Sequence, residues 1–194
     1  MNIGLLFGSF NPIHVGHLII ANVIREQTDL QQVWFIVSPQ NPFKNANNLL
    51  NEYDRLRMVE LAVESNYDLR ACNVEFSMPK PSYTVDTLAY LGERYPQHQF
   101  HLILGSDNLT HFHRWKNFRV IIDHHLLYVY PRPEVTHKPV AEEVQDHPHL
   151  RPVEAPLLNI SATFIRNLIQ HDRSIQYLVA DPVAEYIRDR RLYF

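Results

Sequence analysis

The sequence lacks the features of a membrane protein, a secreted protein or a nucleic-acid-binding protein. Cys72 is the one cysteine in 194 residues, which excludes an internal disulfide and any metal site built from several cysteines, and which fits a reducing compartment. No apolar run approaches the roughly 20 residues of a membrane-spanning helix, and the first residues do not resemble a secretion signal. The net charge of −3 gives no general attraction to nucleic acids or membrane surfaces. We therefore expect a cytoplasmic protein with neither a nucleic acid nor a membrane as partner.

Length and composition are typical of one folded domain, which we expect to span residues 1–194. The apolar fraction is 45% and the charged fraction 20%, and we find no internal repeat or low-complexity segment. The chain has 12 histidines, several of them in polar stretches. Their spacing matches no set of metal ligands, so solvated loop histidines are favoured over a metal-binding surface. The oligomeric state, a homo-oligomer included, is left open.

Apolar runs alternate with amphipathic patterns along the chain, which predicts an α/β fold. Strands are predicted at residues 3–7, 33–38, 69–76, 100–104, 126–130 and 150–153. Helices are predicted at residues 15–25, 52–64, 85–94, 115–122, 161–170 and 182–190. The alternation predicts a mainly parallel sheet with right-handed crossovers, flanked by helices, and a small helical C-terminal extension from about residue 157. Ligands in such sheets bind beyond the carboxyl ends of the strands.

The most informative segment directly follows the first predicted strand, where residues 8–17 read GSFNPIHVGH. A helix that begins after a strand offers free N–H groups and partial positive charge to a phosphate. His14 and His17 are three residues apart and lie on one side of the first turn, with Gly16 keeping the helix surface open between them. Two imidazoles there favour stabilisation of charge on a phosphoryl group under attack. The structural alternative is a helix that merely begins with a histidine bonded to a loop.

A second polar cluster lies near the C-terminus, where residues 160–166 read ISATFIR. Ser161 is a good helix cap, Thr163 follows in the first turn, and Arg166 lies on the same side as Thr163. Hydroxyls, free N–H groups and a guanidinium at one helix start are typical of a polyphosphate site. Simple capping with a solvated arginine explains the same residues equally well.

Taken together, the two segments resemble the motifs of a known family. Residues 8–17 resemble the nucleotidyltransferase signature that ends in HxGH, and residues 160–166 resemble its C-terminal phosphate motif. Four further segments narrow the resemblance to the bacterial nicotinate-nucleotide adenylyltransferases: 41–44 (NPFK), 81–88 (PSYTVDTL), 105–107 (GSD) and 115–116 (WK). The resemblance implies a Rossmann-like sheet on which ATP and nicotinate mononucleotide become nicotinate adenine dinucleotide and pyrophosphate. It also implies Mg²⁺ held mainly through the ATP phosphates, with no metal ligand from the protein.

The resemblance implies a role for each matched residue. The catalytic residues would be His14, His17, Lys44 and Arg166. ATP and its phosphates would be bound by Gly8, Ser9, Phe10, Gly105, Asp107, Ser161 and Thr163. Nicotinate mononucleotide would be bound by Asn11, Ser82, Tyr83, Thr84 and Trp115.

Residues between the two end motifs also have ordinary structural explanations. Lys44 is either a point charge for the triphosphate or an exposed lysine. Asp107 either binds the ribose hydroxyls or caps the next helix, and both roles are compatible. Trp115 either stacks on the pyridine ring or packs in the core. Near Ser82 and Thr84, backbone N–H groups either bind the nicotinate carboxylate or belong to a simple helix cap.

The chain departs from the family pattern at two positions. Phe7 and Gly8 stand where the family usually has two glycines. Asn11 stands where it usually has Asp, which removes a negative charge near the mononucleotide but keeps hydrogen-bonding capacity. Two other functions remain open: a related transferase acting on nicotinamide mononucleotide, phosphopantetheine or a phosphorylated alcohol, and a nucleotide-binding sensor without turnover.

Overall fold

Six parallel strands form the central sheet of the computed structural model, which describes residues 1–40, 49–133 and 140–194. The strands are β1 (Asn2–Gly8), β2 (Gln32–Val37), β3 (Leu69–Cys72), β4 (Gln99–Gly105), β5 (Leu127–Tyr130) and β6 (Leu150–Pro152). Their order across the sheet is β3-β2-β1-β4-β5-β6, and every neighbouring pair is parallel. The strand order therefore reverses between β1 and β4, where an open α/β sheet has its ligand crevice.

Helices cover both faces of the sheet. They are α1 (Val15–Gln27), α2 (Glu52–Val63), α3 (Thr84–Arg94), α4 (Ser106–Leu109), α5 (Phe118–His124), α6 (Glu142–Gln145), α7 (Ala162–Gln170) and α8 (Asp181–Asp189). Successive residues of each strand face opposite sides, so the sheet contributes to two separate cores. Leu6 and Phe35 pack in one core with α1, α2, α7 and α8, whereas Leu5 and Trp34 pack in the other with α3 and α5. The predicted α/β architecture is confirmed, and the sheet is wholly parallel.

Two predicted elements end or begin elsewhere. The strand predicted at 69–76 ends at Cys72, and a 3₁₀ turn at Val74–Ser77 follows it. Val74 and Glu75 of this turn are both buried. The helix predicted at 115–122 begins at Phe118, because Asn117 adopts a left-handed backbone conformation with φ 51°.

The C-terminal part of the chain packs as two helices on the core formed by α1 and α2. Ile165 and Ile169 of α7, with Val183 and Ile187 of α8, are buried there. That residues 1–194 form one domain, with a helical C-terminal part from about residue 157, stays a prediction. Within the described ranges, none of the helices has both the length and the apolar character needed to cross a membrane.

Candidate active site

The segment 8–17 connects the carboxyl end of β1 to the start of α1, at the point where the strand order reverses. His14 is the N-cap residue of α1, and His17 lies in its first turn. Their rings are stacked, with centroids 3.7 Å apart and planes inclined by 27°. The pairing expected from the three-residue spacing is therefore present in the structure.

One hydrogen bond sets the tautomer of His17. The backbone N–H of His14 donates to Nδ1 of His17 at 3.3 Å, so this nitrogen is an acceptor. A neutral imidazole that accepts at Nδ1 carries its proton on Nε2. His17 therefore offers an N–H donor on the side of the ring away from its own helix cap.

His14 is held neutral. The residue is 4% exposed, and burial, followed by the nearby charge of Arg132, lowers the pKa of its imidazole to about 4. Its Nδ1 has no hydrogen-bond partner among the described residues. Gly16 makes room for this ring, because a Cβ atom there would lie 3.0 Å from Nδ1. His14 can therefore act as a hydrogen-bonding group at neutral pH but not as a cation.

The loop between β1 and the histidines presents its backbone rather than its side chains. The Phe10 side chain is buried and packs edge-on against His17, with centroids 5.1 Å apart. Its backbone is left-handed, with φ 44°, a conformation uncommon outside glycine and asparagine. A Cβ atom at Gly8 would meet the Phe10 ring at 2.8 Å. Glycine at this position therefore allows the aromatic ring to fold back beneath the loop.

A buried arginine that the motifs did not reveal holds this loop in place. Arg55 of α2 is fully buried, and its guanidinium donates to the carbonyl oxygens of Ser9 (2.6 Å), Ser38 (2.8 Å), Pro39 (3.2 Å) and Leu50 (2.9 Å). It thereby joins the loop after β1 to the end of β2 and the approach to α2. In the sequence, Arg55 is only one of several polar residues on an amphipathic helix, so it gave no functional signal.

Asn11 connects this loop to the C-terminal region. Its backbone carbonyl accepts from Nη1 of Arg166 at 2.8 Å. Its side-chain oxygen accepts from the hydroxyl of Tyr193 at 2.9 Å and from the backbone N–H of Leu50 at 3.3 Å. Asn11 is 5% exposed and braces the loop, and its role in binding the mononucleotide stays a prediction.

The second predicted cluster forms as expected at the start of α7. Ser161 is the N-cap, and its side chain accepts from the backbone N–H of Phe164 at 3.2 Å. Nη2 of Arg166 donates to the hydroxyl of Thr163 at 3.2 Å. Because the same guanidinium also bonds to Asn11, the two sequence motifs meet in one site.

A cavity of about 670 Å³ lies at the carboxyl ends of β1, β4 and β5. Five residues assigned to ligand binding from the sequence line it: Ser82, Tyr83, Thr84, Gly105 and Trp115. Trp115 packs against the buried Phe112, with ring centroids 5.3 Å apart, and also lines the cavity, so its stacking on the pyridine ring stays a prediction that this packing does not exclude. Leu6 and Tyr130 line both this cavity and the small cleft at the histidines. The cavity therefore opens next to the histidine pair.

Asp107 lies in the chain between Gly105 and Asn108, two residues that line the cavity. It occupies the first turn of α4, directly after Gly105 at the end of β4. Nε of Arg132 approaches its carboxylate at 3.7 Å, and Arg132 also lines the cleft at His14 and His17. Arg132 follows β5 in a proline-rich segment and was not singled out from the sequence.

Lys44, expected to be catalytic, lies outside the described residues. Among the residues that the structure describes, no three histidine, cysteine or carboxylate side chains come together in an arrangement that would hold a metal ion. Apart from the carboxylates of Glu75 and Asp107, the polar groups around the two neighbouring clefts include N–H donors, hydroxyls and guanidinium cations. Such a set suits phosphates and carboxylates.

Comparisons with known proteins agree with this chemistry. The family model described as cytidylyltransferase-like matches residues 5–168. A relative from Cytophaga hutchinsonii, named as a probable nicotinate-nucleotide adenylyltransferase, is 56% identical over 193 residues, covering 100% of this chain and 98% of the relative. A relative of the same name from Flavobacterium johnsoniae is 48% identical over 193 residues, covering 100% and 99%.

A solved structure of similar fold is the Plasmodium falciparum nicotinic acid mononucleotide adenylyltransferase complexed with NaAD. It superposes with a TM-score of 0.80 at 20% identity and covers 99% of this chain and 97% of that chain. The same enzyme complexed with APC gives a TM-score of 0.79. At this identity the likeness establishes the fold.

Proposed function

The chain belongs to the cytidylyltransferase-like family and, within it, to the nicotinate-nucleotide adenylyltransferases, and on that premise we propose that it transfers the adenylyl group of ATP to nicotinate mononucleotide. The products are nicotinate adenine dinucleotide and pyrophosphate. The observation that carries the proposal is the junction of the two motifs: Arg166 of the C-terminal motif bonds to Asn11 of the signature loop, beside the stacked His14 and His17. We place the reaction in the cytoplasm.

The reaction is a direct in-line displacement. An oxygen of the mononucleotide phosphate attacks the α-phosphorus of ATP, the bond between that phosphorus and the bridging oxygen breaks, and pyrophosphate leaves with the electron pair. The attacking phosphate is already an anion and needs no strong base, so catalysis comes from position and electrostatics. Mg²⁺ would be held mainly by the phosphate oxygens of ATP, and it would neutralise part of the negative charge on the transferred and leaving phosphates.

The histidine pair stabilises the charge that develops on the α-phosphate. His17 donates from Nε2, the nitrogen that carries its proton because Nδ1 is occupied by the helix cap. Neutral His14 stacks on it and holds the ring in position. The backbone of Gly8, Ser9 and Phe10 and the start of α1 complete the donor set around the phosphates.

The leaving pyrophosphate lies against the start of α7. Ser161 orders the first turn, Thr163 supplies a hydroxyl, and Arg166 supplies positive charge. We assign Lys44 to the same anion on the basis of its family position. Asp107, next to Gly105, receives the ribose hydroxyls of ATP.

The large cavity receives nicotinate mononucleotide. Trp115 provides a flat apolar surface for the pyridine ring. The backbone N–H groups of Thr84 and Val85 donate to the nicotinate carboxylate, because neither makes a hydrogen bond among the described residues. A site built from N–H donors favours an acid over the corresponding amide, whose NH₂ group would meet donors.

An acceptor assay tests this function. The protein is incubated with ATP, Mg²⁺ and either nicotinate mononucleotide, nicotinamide mononucleotide or phosphopantetheine, and pyrophosphate release is measured. We expect the highest kcat/KM with nicotinate mononucleotide. A higher kcat/KM with another acceptor would show that the protein has a related transferase activity instead. ATP binding without pyrophosphate release would show that it is a sensor.

The His17→Ala variant tests the chemical role of the histidine pair. We expect kcat to fall roughly 100- to 1,000-fold, the usual loss for an electrostatic donor to a transition state, with a much smaller change in KM. His171→Ala is the matched control, since His171 is exposed and bonds only to Asn167 of its own helix among the described residues. Near-normal turnover of His17→Ala would remove this residue from the mechanism.

A further inference from the structure

A buried carboxylate in the wall of the large cavity has no part in the proposed reaction. Glu75 lies in the 3₁₀ turn after β3 and is 2% exposed. It lines the cavity together with the segment 82–84. Among the described residues, no lysine or arginine comes within ion-pair distance of it. A buried charge without an ion partner is costly unless hydrogen bonds satisfy it.

Two hydroxyls satisfy the Glu75 carboxylate, and both belong to the start of α3. Ser82 donates to Oε2 at 2.6 Å, and Thr87 donates to Oε1 at 2.8 Å. Ser82 and Thr87 are themselves buried. The carboxylate therefore connects the residue before the helix to a residue one turn inside it.

The segment that Glu75 holds is the one that carries the candidate donors for the acceptor carboxylate. The backbone N–H groups of Asp86 and Thr87 bond to the carbonyl of Tyr83. Those of Thr84 and Val85 make no hydrogen bond within the described part of the chain. The direction of these two groups depends on the first turn of α3, whose inner side is fixed by Glu75.

The outer side of the same turn is braced much more weakly. Nζ of Lys116 lies 2.8 Å from Asp86 and 4.8 Å from the centre of the Tyr83 ring. Both members of this ion pair are more than 40% exposed, so solvent screens the attraction. The buried side therefore determines the position of the turn.

The bond to Glu75 also limits what the Ser82 side chain can do. A serine hydroxyl has one proton, and Ser82 gives it to Glu75. Its oxygen then offers only lone pairs to the cavity. Recognition of an anion in the cavity is thus left to backbone N–H groups whose position Glu75 maintains.

We propose that Glu75 is a positioning residue for the acceptor site, holding Ser82 and Thr87 so that the first turn of α3 presents its N–H groups to the acceptor carboxylate. This inference rests on the proposed function, because it takes nicotinate mononucleotide as the occupant of the cavity. In the proposed function the ATP phosphates are bound at the histidine cleft, and Leu6 and Tyr130 line both that cleft and the cavity. Loss of Glu75 should therefore affect one substrate and leave the other unchanged.

The test is steady-state kinetics on the wild type, Glu75→Ala and Glu75→Gln. For Glu75→Ala we expect KM for nicotinate mononucleotide to rise at least about tenfold, which corresponds to the loss of one charge-assisted hydrogen bond. KM for ATP should stay within about twofold of the wild type. Gln is isosteric and keeps one accepting oxygen, so Glu75→Gln should recover part of the loss. Glu93→Gln is the control, since Glu93 is an exposed carboxylate on the same helix.

A double-mutant cycle tests the named contact. If Glu75 acts through Thr87, then adding Thr87→Val to Glu75→Ala should raise the acceptor KM by much less than the product of the two single effects. Thr87→Val alone removes one of the two hydrogen bonds and serves as the main variant if Glu75→Ala does not fold. Multiplicative effects, an equal rise in both KM values, or no change in the acceptor KM would each overturn the inference. If the wild type does not use nicotinate mononucleotide at all, the proposed function fails instead.

Discussion

Replacing Arg55 with methionine should be among the most destabilising single changes outside the apolar core. The long apolar side chain of Met fills the volume of the arginine stem but removes all four hydrogen bonds to main-chain carbonyls. The bonds to Ser38 and Pro39 are fully buried, whereas those to Ser9 and Leu50 are partly accessible. Arg55 thus stabilises three chain segments that converge beneath the candidate phosphate site.

The magnitude follows from the two fully buried carbonyls. A buried polar group left without a partner costs about 1–3 kcal/mol, so the oxygens of Ser38 and Pro39 together cost about 2–6 kcal/mol. The two partly accessible oxygens regain water and add little. We expect a loss of about 4 kcal/mol, a large share of the 5–15 kcal/mol that is typical of a folded domain. Burial also lowers the pKa of Arg55, which fits a cation held by carbonyl oxygens instead of by a carboxylate.

Urea unfolding monitored by circular dichroism measures this loss against a matched substitution on the same helix. Arg57→Met makes the same chemical change, but Arg57 is 51% exposed and forms an ion pair with Glu60 at 3.2 Å. It should cost at most about 0.5 kcal/mol. Arg55→Lys should lie between the two, because an ammonium has three donors and a different geometry. The reasoning is refuted if Arg55→Met unfolds within 1 kcal/mol of Arg57→Met.

Three further predictions concern the loop after β1. The pKa of His14 is about 4 in the folded state, below its unfolded value near 6.5. Its contribution to the free energy of unfolding, up to about 3 kcal/mol, is therefore present above pH 6.5 and disappears as the pH falls toward 4. Urea unfolding at pH 7.5 and pH 4.5 should therefore show a smaller difference in the free energy of unfolding for His14→Asn than for the wild type. An equal difference would mean that other groups cause the pH dependence. Gly16→Ala places a Cβ 3.0 Å from Nδ1 of His14. We expect this change to affect kcat more than the free energy of unfolding, and an unchanged kcat would contradict this geometry. Tyr193→Phe loses the bond to Asn11 and should cost about 1 kcal/mol in urea unfolding, whereas the 80% exposed Tyr177 should tolerate the same change without loss.

Local sequence patterns predicted most of the secondary structure, and both end motifs were recognisable directly in the sequence. Strand alternation and helical spacing are properties of neighbouring residues, so β1, α1 and the cap at Ser161 were predictable. The two boundary errors have local causes that the patterns do not encode: the left-handed Asn117 and the buried Glu75 in a 3₁₀ turn. Asn11, assigned a ligand role from its motif position, also braces the loop through contacts that the motif does not reveal.

The two end motifs can be located from local sequence, together with the chemical groups that they carry, because a short motif after a strand creates its own helix start and its own donors. Which distant residues support these candidate phosphate-binding segments depends on the tertiary fold. Tyr193 donates a hydrogen bond to Asn11, 182 residues away in the sequence. Arg55 donates to carbonyl oxygens of three chain segments, and Glu75, in the turn after β3, accepts from Ser82 before α3. Such contacts depend on the order in which the strands join the sheet and on the path of the crossovers. A sequence pattern predicts which face of a helix or strand a residue occupies, but it does not predict which residues of other elements pack against that face.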